Sequence, residues 1–267
     1  MEDVKEIVSI SDPGEVGRSE HNRGDRFTVA VSNVFAWIYP VLMLAIVAQI
    51  FLRGAGHNQA WLDDLQWWLY GAAVMVGIGY AVTTNSHVRV DIFYAGFPEA
   101  RRNRIEIFGL AWLFLPFIVL SWDMSLHYAV ASVVAGEGSD SPNGLHHLYL
   151  LKVFMNVSFV LIGIAIWAAY VRHLARLTTP HLWKQLLYAF PSTMFLVNLA
   201  IFYALYWFVY LTGGEDLNPR RITREPIFEP VEIFGFEMLK TVIAAFVLTW
   251  VLIGLAKVMA RKNGEGE

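Results

Sequence analysis

An all-α polytopic membrane helical bundle of six spans, with both termini cytoplasmic, is the fold class this sequence predicts, and three observations predict it. Only 16% of the 267 residues are charged and 56% are hydrophobic, whereas soluble domains carry about 25% charge. The charges gather in short segments and leave stretches of roughly 18 to 26 residues nearly free of them, and about 20 apolar residues cross the hydrocarbon core. Lys and Arg are also split unevenly between alternate connections, as the positive-inside rule requires.

The first 26 residues, MEDVKEIVSISDPGEVGRSEHNRGDR, are polar and mixed in charge. They lack the basic start, short apolar core and small-residue cleavage site of a signal peptide. They are expected to form a solvated cytoplasmic tail, residues 1–26, with a short interfacial helix as the competing reading. The spans then follow as about Phe27–Leu52, Leu65–Thr84, Ile105–Ser121, Leu148–Val171, Leu186–Thr212 and Phe236–Met259. Pro116 marks a kink in the third, because a proline inside a helix removes a backbone donor. Within 122-WDMSLHYAVASVV-134, the apolar Trp122, Leu126, Ala129, Val130 and Val133 lie opposite Asp123, His127 and Ser132. That spacing fits an amphipathic helix on the membrane surface or a polar-lined extension of the third span.

With the amino terminus inside, the inner segments hold 14 Lys and Arg residues and the outer segments 6. The loop 213–235 breaks the rule locally with Arg220, Arg221 and Arg224. The net charge of −3 gives no reason to expect a nucleic-acid partner, and the absence of cysteine excludes disulfides and thiolate metal sites. Trp and Tyr fall mostly near span ends, where amphipathic rings settle at the headgroup level.

An ionisable residue deep in a span is costly and marks function by default. None lies near the middle of the spans drawn above. The polar intruders are Gln49, Ser192, Asn156, Asn198 and Thr249, each able to bond across helices. A self-sufficient carrier is expected to show a buried carboxylate relay or helices broken at mid-membrane. The chain therefore reads as a scaffold, with no catalytic residues and no cofactor. A rival reading takes His127, His146, His147 and His173 as haem ligands, but such a site needs a histidine on each of two facing helices inside the membrane. The adjacent pair His146-His147 is a poor metal site, because neighbours on a helix diverge by about 100°.

Four groups of residues stand out as sites. In 85-NSHVRVDIFY-94, His87, Arg89 and Asp91 share one face if the segment is extended, while His87 and Asp91 lie one turn apart if it is helical. A membrane-surface turn and an anchor for assembly both fit. In 61-WLDDLQWWLY-70, Asp63 and Asp64 suit the first turn of a helix, and Gln66 and Trp67 follow. On the same span Ala73, Gly77 and Ala81 form a small-residue ridge that lets another helix approach, within the chain or from a partner. The outer loop 136-GEGSDSPNGLHHLYLLK-152 is rich in turn residues and carries Glu137 and Asp140.

Read together, DDLQWWLYGAAVMVGIGYAV, HVRVDIFY, RRNRIEIFG and GEGSDSPNGLHHLYLLKVF resemble the small membrane subunit of TRAP (tripartite ATP-independent periplasmic) transporters, the DctQ type. The resemblance covers about residues 30 to 175, and its most specific part is the H-[VI]-R-[VI]-D element after the second span. It implies a non-enzymatic subunit of the bacterial inner membrane, paired with a large permease that carries the substrate and sodium sites. A periplasmic solute-binding protein delivers an organic acid anion, and the sodium gradient drives uptake. His87, Arg89 and Asp91 carry over as the signature element; Gln66, Trp67, Ala73, Gly77 and Ala81 become candidates for the large-subunit interface. Glu137 and Asp140 become candidates for docking the binding protein.

The chain departs from that pattern at its C-terminal side. The family-type domain, residues 27–180, has four spans, and residues 181–267 add a further pair around the outer loop 213–235. Its Arg220, Arg221 and Arg224 are further docking candidates, toward the permease or the binding protein. A haem- or quinone-binding anchor of an oxidoreductase stands as the alternative. Membrane lipid surrounds the chain in either reading.

Overall fold

The computed structural model describes residues 17–87, 92–213, 219–233 and 235–262. Six of its helical stretches are long and apolar enough to cross a membrane: Arg23–Gly54, Ala60–Thr84, Glu99–Ala135, Tyr149–Ala175, Phe190–Thr212 and Lys240–Lys262. We call the end of the bundle holding Arg23 and Lys262 the near end, and the opposite one the far end.

The first stretch is two helices, α1 (Arg23–Phe35) and α2 (Ile38–Gly54). Pro40 has no N–H to return to Ala36, and the Ala36 carbonyl instead accepts from Tyr39 at 3.2 Å. The chain tightens for one turn there and continues. Helix α3 (Ala60–Thr84) ends at Asn85, left-handed at φ 53°. The Ser86 N–H bonds the Ala81 carbonyl at 3.0 Å and the Asn85 N–H the Val82 carbonyl at 3.4 Å, the paired bonds of a Schellman stop.

The third stretch decides between the two readings of residues 122–134. Helix α4 (Glu99–Phe108) runs through a π-helical segment, Gly109–Phe114, into α5 (Leu115–Ala135) without a break. Residues 122–134 extend the span and are not a separate surface helix. After Pro116 no proline or glycine stands before Gly136, so nothing in the backbone stops the helix sooner. Gly136, at φ 61°, then ends it with a second Schellman stop.

Helix α6 (Tyr149–Ala175) is the centre of the bundle. Ile162, Ala165, Ile166, Ala169, Tyr170 and Leu174 are all 1% exposed or less. They pack with Val82 of α3 and with Leu110, Ala111, Leu115, Ile118 and Val119 of the third span. Gly79 of α3 makes the close approach possible, since an added Cβ would stand 3.5 Å from Thr28 Cγ2 and 3.8 Å from Ala165 Cβ.

The fifth span is also split, into α7 (Leu182–Tyr188) and α8 (Phe190–Thr212). The two part at Ala189, whose backbone leaves the helical region, and Pro191 is accommodated in the first turn of α8, where no N–H is needed. The sixth, α9 (Lys240–Lys262), starts four residues later than expected, because Phe236–Leu239 forms strand β2 paired antiparallel with β1 (Pro230–Ile233). Thr241, Ala245, Thr249, Ile253, Ala256 and Ala260 make a buried stripe along α9 at steps of four and three. Small residues at those steps let it lie close against its neighbours. Phe190 meets Trp250 at 5.2 Å between ring centres.

Candidate functional site

Polar side chains tie the helices together at three levels, and the near end holds the most buried of them. The chain enters α1 through Asn22, whose side-chain oxygen accepts from the Gly24 and Asp25 N–H groups at 2.9 and 3.1 Å. Asp25 Oδ2 accepts the Asn22 N–H at 3.1 Å, completing a capping box. Its other oxygen faces Arg172 Nη1 of α6 at 2.9 Å. Arg172 donates from Nη2 to the Thr83 carbonyl at 2.8 Å, one of the orphan carbonyls of a helix end. One guanidinium thus joins α1, α3 and α6, with side chains only 5% and 0% exposed for Arg172 and Asp25. Asn22 Nδ2 adds a bond to the Ala168 carbonyl at 2.8 Å.

A second layer surrounds this pair. His173 Nδ1 lies 2.8 Å from Asn103 Oδ1 of α4, and Arg176 is paired with Glu20. The Arg176 guanidinium holds the Glu20 carboxyl below its ordinary range, against a smaller opposing effect of burial. Burial pushes the His21 imidazole below its ordinary value, and the charge of Arg172 pushes the same way. Glu20, His21 and Asp25 all lie in the segment expected to be a solvated tail; His21 is 5% and Asp25 0% exposed. Residues 18–25 are therefore part of the fold. The expectation failed because the partners, Arg172 and Arg176, lie about 150 positions away in sequence, beyond the reach of any local pattern.

At mid-depth the bonds fasten the C-terminal pair to the four-span body. In the π segment Leu115 N–H reaches back to the Leu110 carbonyl, so the next bond in that register would run from residue 116 to Ala111. Residue 116 is proline and has no donor. The Ser192 hydroxyl of α8 donates to the Ala111 carbonyl in its place. Trp112 Nε1 donates to the Tyr188 carbonyl at 2.7 Å and the Tyr170 hydroxyl to the Gln185 carbonyl at 2.7 Å. Asp123 of α5 accepts the Tyr203 hydroxyl of α8. Because α5 is continuous, Asp123 is a carboxylate inside a spanning helix, which the drawn end at Ser121 had placed outside. The polar intruders sort accordingly. Ser192, Asn156 and Gln49 bond across helices, Asn156 to the Trp122 carbonyl at 2.9 Å and Gln49 to Asp63 at 2.9 Å. Thr249 bonds its own helix at the Ala245 carbonyl. Asn198 Oδ1 is buried with no hydrogen-bond partner among the described residues.

The far end is wetter. Asp63 takes Arg53 at 2.7 Å, and Asp64 Oδ2 accepts the Leu145 N–H of the loop before α6 at 3.0 Å. A Cβ on Gly144 would lie 2.6 Å from Asp64 Oδ2, so that contact requires glycine. Glu137 accepts from Ser132 and pairs with Lys152, whose ammonium lies 3.9 Å from the Tyr128 ring centre. Lys152 first, and Ser132 next, hold the Glu137 carboxyl below its ordinary range.

The sequence candidates fall among these features unevenly. His87 is exposed just past the α3 stop, its Nδ1 3.5 Å from the Ala81 carbonyl; Arg89 and Asp91 lie outside the described residues. Ile92 and Phe93, which follow, are 83% and 78% exposed. Trp67 is 71% exposed, whereas Ala73 is buried within the chain and Gly77 looks toward Tyr39 of α2. Gln66 and Ala81 are half-buried. Asp140 and Arg224 are exposed at the far end, and Arg220 and Arg221 belong to the 3-10 turn Pro219–Arg224. His147 stacks edge-on to Tyr149 at 5.5 Å, at the opposite end of α6 from His173. The near-end knot was missed by sequence reasoning. Its one readable signal is Asn22-Arg-Gly-Asp25 before an apolar run, an N-cap pattern with an acid at the third position.

Six long apolar helices fastened by polar groups at their ends define a multi-pass helical membrane protein. The chain matches the family described as Tripartite ATP-independent periplasmic transporters, DctQ component, over residues 42–179. It belongs to that family, a transporter component and not an enzyme family. No curated protein and no solved structure matches it. The match ends just before α7, so the C-terminal pair lies beyond it.

Proposed function

We propose that this chain is the small subunit of a sodium-driven tripartite uptake transporter for organic acid anions in a bacterial inner membrane. The near end faces the cytoplasm. The subunit braces a large permease and helps a periplasmic solute-binding protein to dock at the far end. The observation that carries this reading, beside the family match, is where the ionisable groups go. The ion pairs among the described residues lie at the two ends, Asp25–Arg172 and Glu20–Arg176 at the near end and Asp63–Arg53 and Glu137–Lys152 at the far end. Asp123, at mid-depth, is engaged by Tyr203 of the same chain. Such a body holds helices in place and offers no relay for an ion.

In this reading Trp67 presents the permease-facing surface of α3, with Gln66, Ala73, Gly77 and Ala81 setting the shape of the helix behind it. His87, Arg89 and Asp91 serve as an assembly element, and the chain resumes after it with exposed Ile92 and Phe93. Glu137, Asp140, Arg220, Arg221 and Arg224 contribute a charged docking rim. Haem or quinone binding is not favoured.

A tagged full-length chain extracted in mild detergent is expected to bring down a much larger membrane protein. If it migrates alone under conditions that preserve other membrane complexes, the reading fails. Arg89→Ala or Asp91→Ala is expected to lower uptake in proportion to complex yield. Lost uptake with full yield would move the element into the transport cycle.

A further inference from the structure

A cleft of about 700 Å³ opens on the near half of the bundle, between the start of α1, α5, α6 and α8. Its walls are apolar, among them Leu115, Val119, Trp122, Phe159 and Leu196, with Gly163 leaving room on α6. Among the described residues, its charged and amide side chains occur only where it meets the near end, at Asn22, Arg23 and Gln185. Asn22 is used by the capping box and Gln185 donates to the Pro180 carbonyl at 2.6 Å. Arg23 is exposed and makes no ion pair among the described residues.

We propose that this cleft is a phospholipid site, holding one acyl chain of the near leaflet with its phosphate on Arg23. Three arguments choose this occupant. The lining of α6 runs from Val171 to Phe159, about 18 Å at about 1.5 Å per residue. One leaflet supplies about half of the roughly 30 Å hydrocarbon core, so the cleft is one leaflet deep. A spanning helix from a partner would need a groove about twice that length. Second, acyl chains are as apolar as leucine, so no hydrophobic force drives another protein into the cleft from the bilayer. Shape and the headgroup decide instead. Third, the only cation among the described residues of the lining, Arg23, stands at the mouth, at the level of the first helical residue, where a lipid phosphate sits. The close seating of α1 on α6 keeps that mouth in place: a Cβ on Gly24 would meet Ala168 Cβ at 2.8 Å.

Gly163 gives a clean way to close the site, because a Cβ there meets nothing nearer than Leu115 Cδ1 at 4.0 Å. The full-length chain, with any subunit that co-purifies, is released from mild detergent into a native mass spectrometer. The wild type is expected to retain one phospholipid adduct per chain. Gly163→Leu is expected to lose it at matched activation, and Leu196→Trp, from the opposite wall, to do the same. Arg23→Gln is expected to keep a lipid but to lower the preference for anionic over zwitterionic headgroups by about fivefold. If Gly163→Leu does not fold, Leu196→Trp decides. Equal lipid retention in the wild type and the folded blocked variants would overturn the proposal. So would a photo-crosslinker at Leu196 that couples, in intact membranes, to a protein and not to lipid.

Discussion

The two ends of the bundle use the same chemistry in different solvents. At the near end Arg172 and Asp25 are sealed from solvent and joined to backbone groups of α1 and α3. At the far end Arg53 and Asp63 remain 55% and 39% exposed, and Glu137 remains 36% exposed beside Lys152. Exposed ion pairs are worth about 0–1 kcal/mol, while removing one member of a buried pair leaves an uncompensated charge and costs about 3–5 kcal/mol. The near end is thus a point of stability, and the far end a surface whose charges stay accessible to a partner.

The largest expected effect tests that contrast directly. Arg172→Ala should cost about 3–5 kcal/mol of unfolding free energy, read by a detergent-solubilised unfolding titration. The double variant Arg172→Met with Asp25→Leu should recover most of it. If the single variant is nearly neutral, burial is not what separates the two ends.

Next in size is the seam between the four-span body and the C-terminal pair. Ser192→Ala removes the only side-chain donor among the described residues that answers the Ala111 carbonyl. Leaving a buried carbonyl unsatisfied costs about 1–3 kcal/mol. The loss should appear as earlier proteolysis between α7 and α8, with the body's own melting unchanged. A body that melts together with the pair would show that the pair is integral to the four-span fold.

Acid should weaken the near end first. His21 has a depressed folded value, so the unfolded chain takes up its proton more readily. Stability should fall as the pH drops below about 6.5, the ordinary histidine value. Glu20 and Glu137, both depressed, contribute stability above the ordinary carboxylate range and lose it only as the pH falls through their lowered values. A melting-temperature series from pH 7.5 to about 5 should therefore slope in the wild type and flatten in His21→Gln. A slope that survives the substitution assigns the acid sensitivity elsewhere.

The smallest effect is expected at the far-end clasp. Lys152→Met should change the melting temperature little and should raise the Glu137 titration midpoint toward its ordinary value, read by isotope-edited infrared difference spectra. A loss comparable with that of Arg172→Ala would abolish the distinction between the ends.

Much of the fold was legible because a bilayer imposes a one-dimensional test. Each span must be apolar over its own length, so hydropathy alone counts six helices and orders them. Charge counts, Pro116, the glycine at 136 and the family resemblance are likewise local signals. The site was less legible. Glu137 and Lys152 lie 15 positions apart on one loop and helix start, and Asp63 lies 10 from Arg53; Asp25 and Arg172 share no window. The sequence left residues 122–134 open between a surface helix and an extension of the third span, and only the contact of Asp123 with Tyr203, 80 positions away, shows how the extension tolerates a carboxylate.

By itself, then, the sequence determined which segments enter the membrane, since that depends on each segment's own transfer energy. Only the tertiary structure decided which polar groups survive there. A buried charge or carbonyl is tolerable only once packing delivers its partner: Arg172 to Asp25, Ser192 to Ala111, Tyr203 to Asp123.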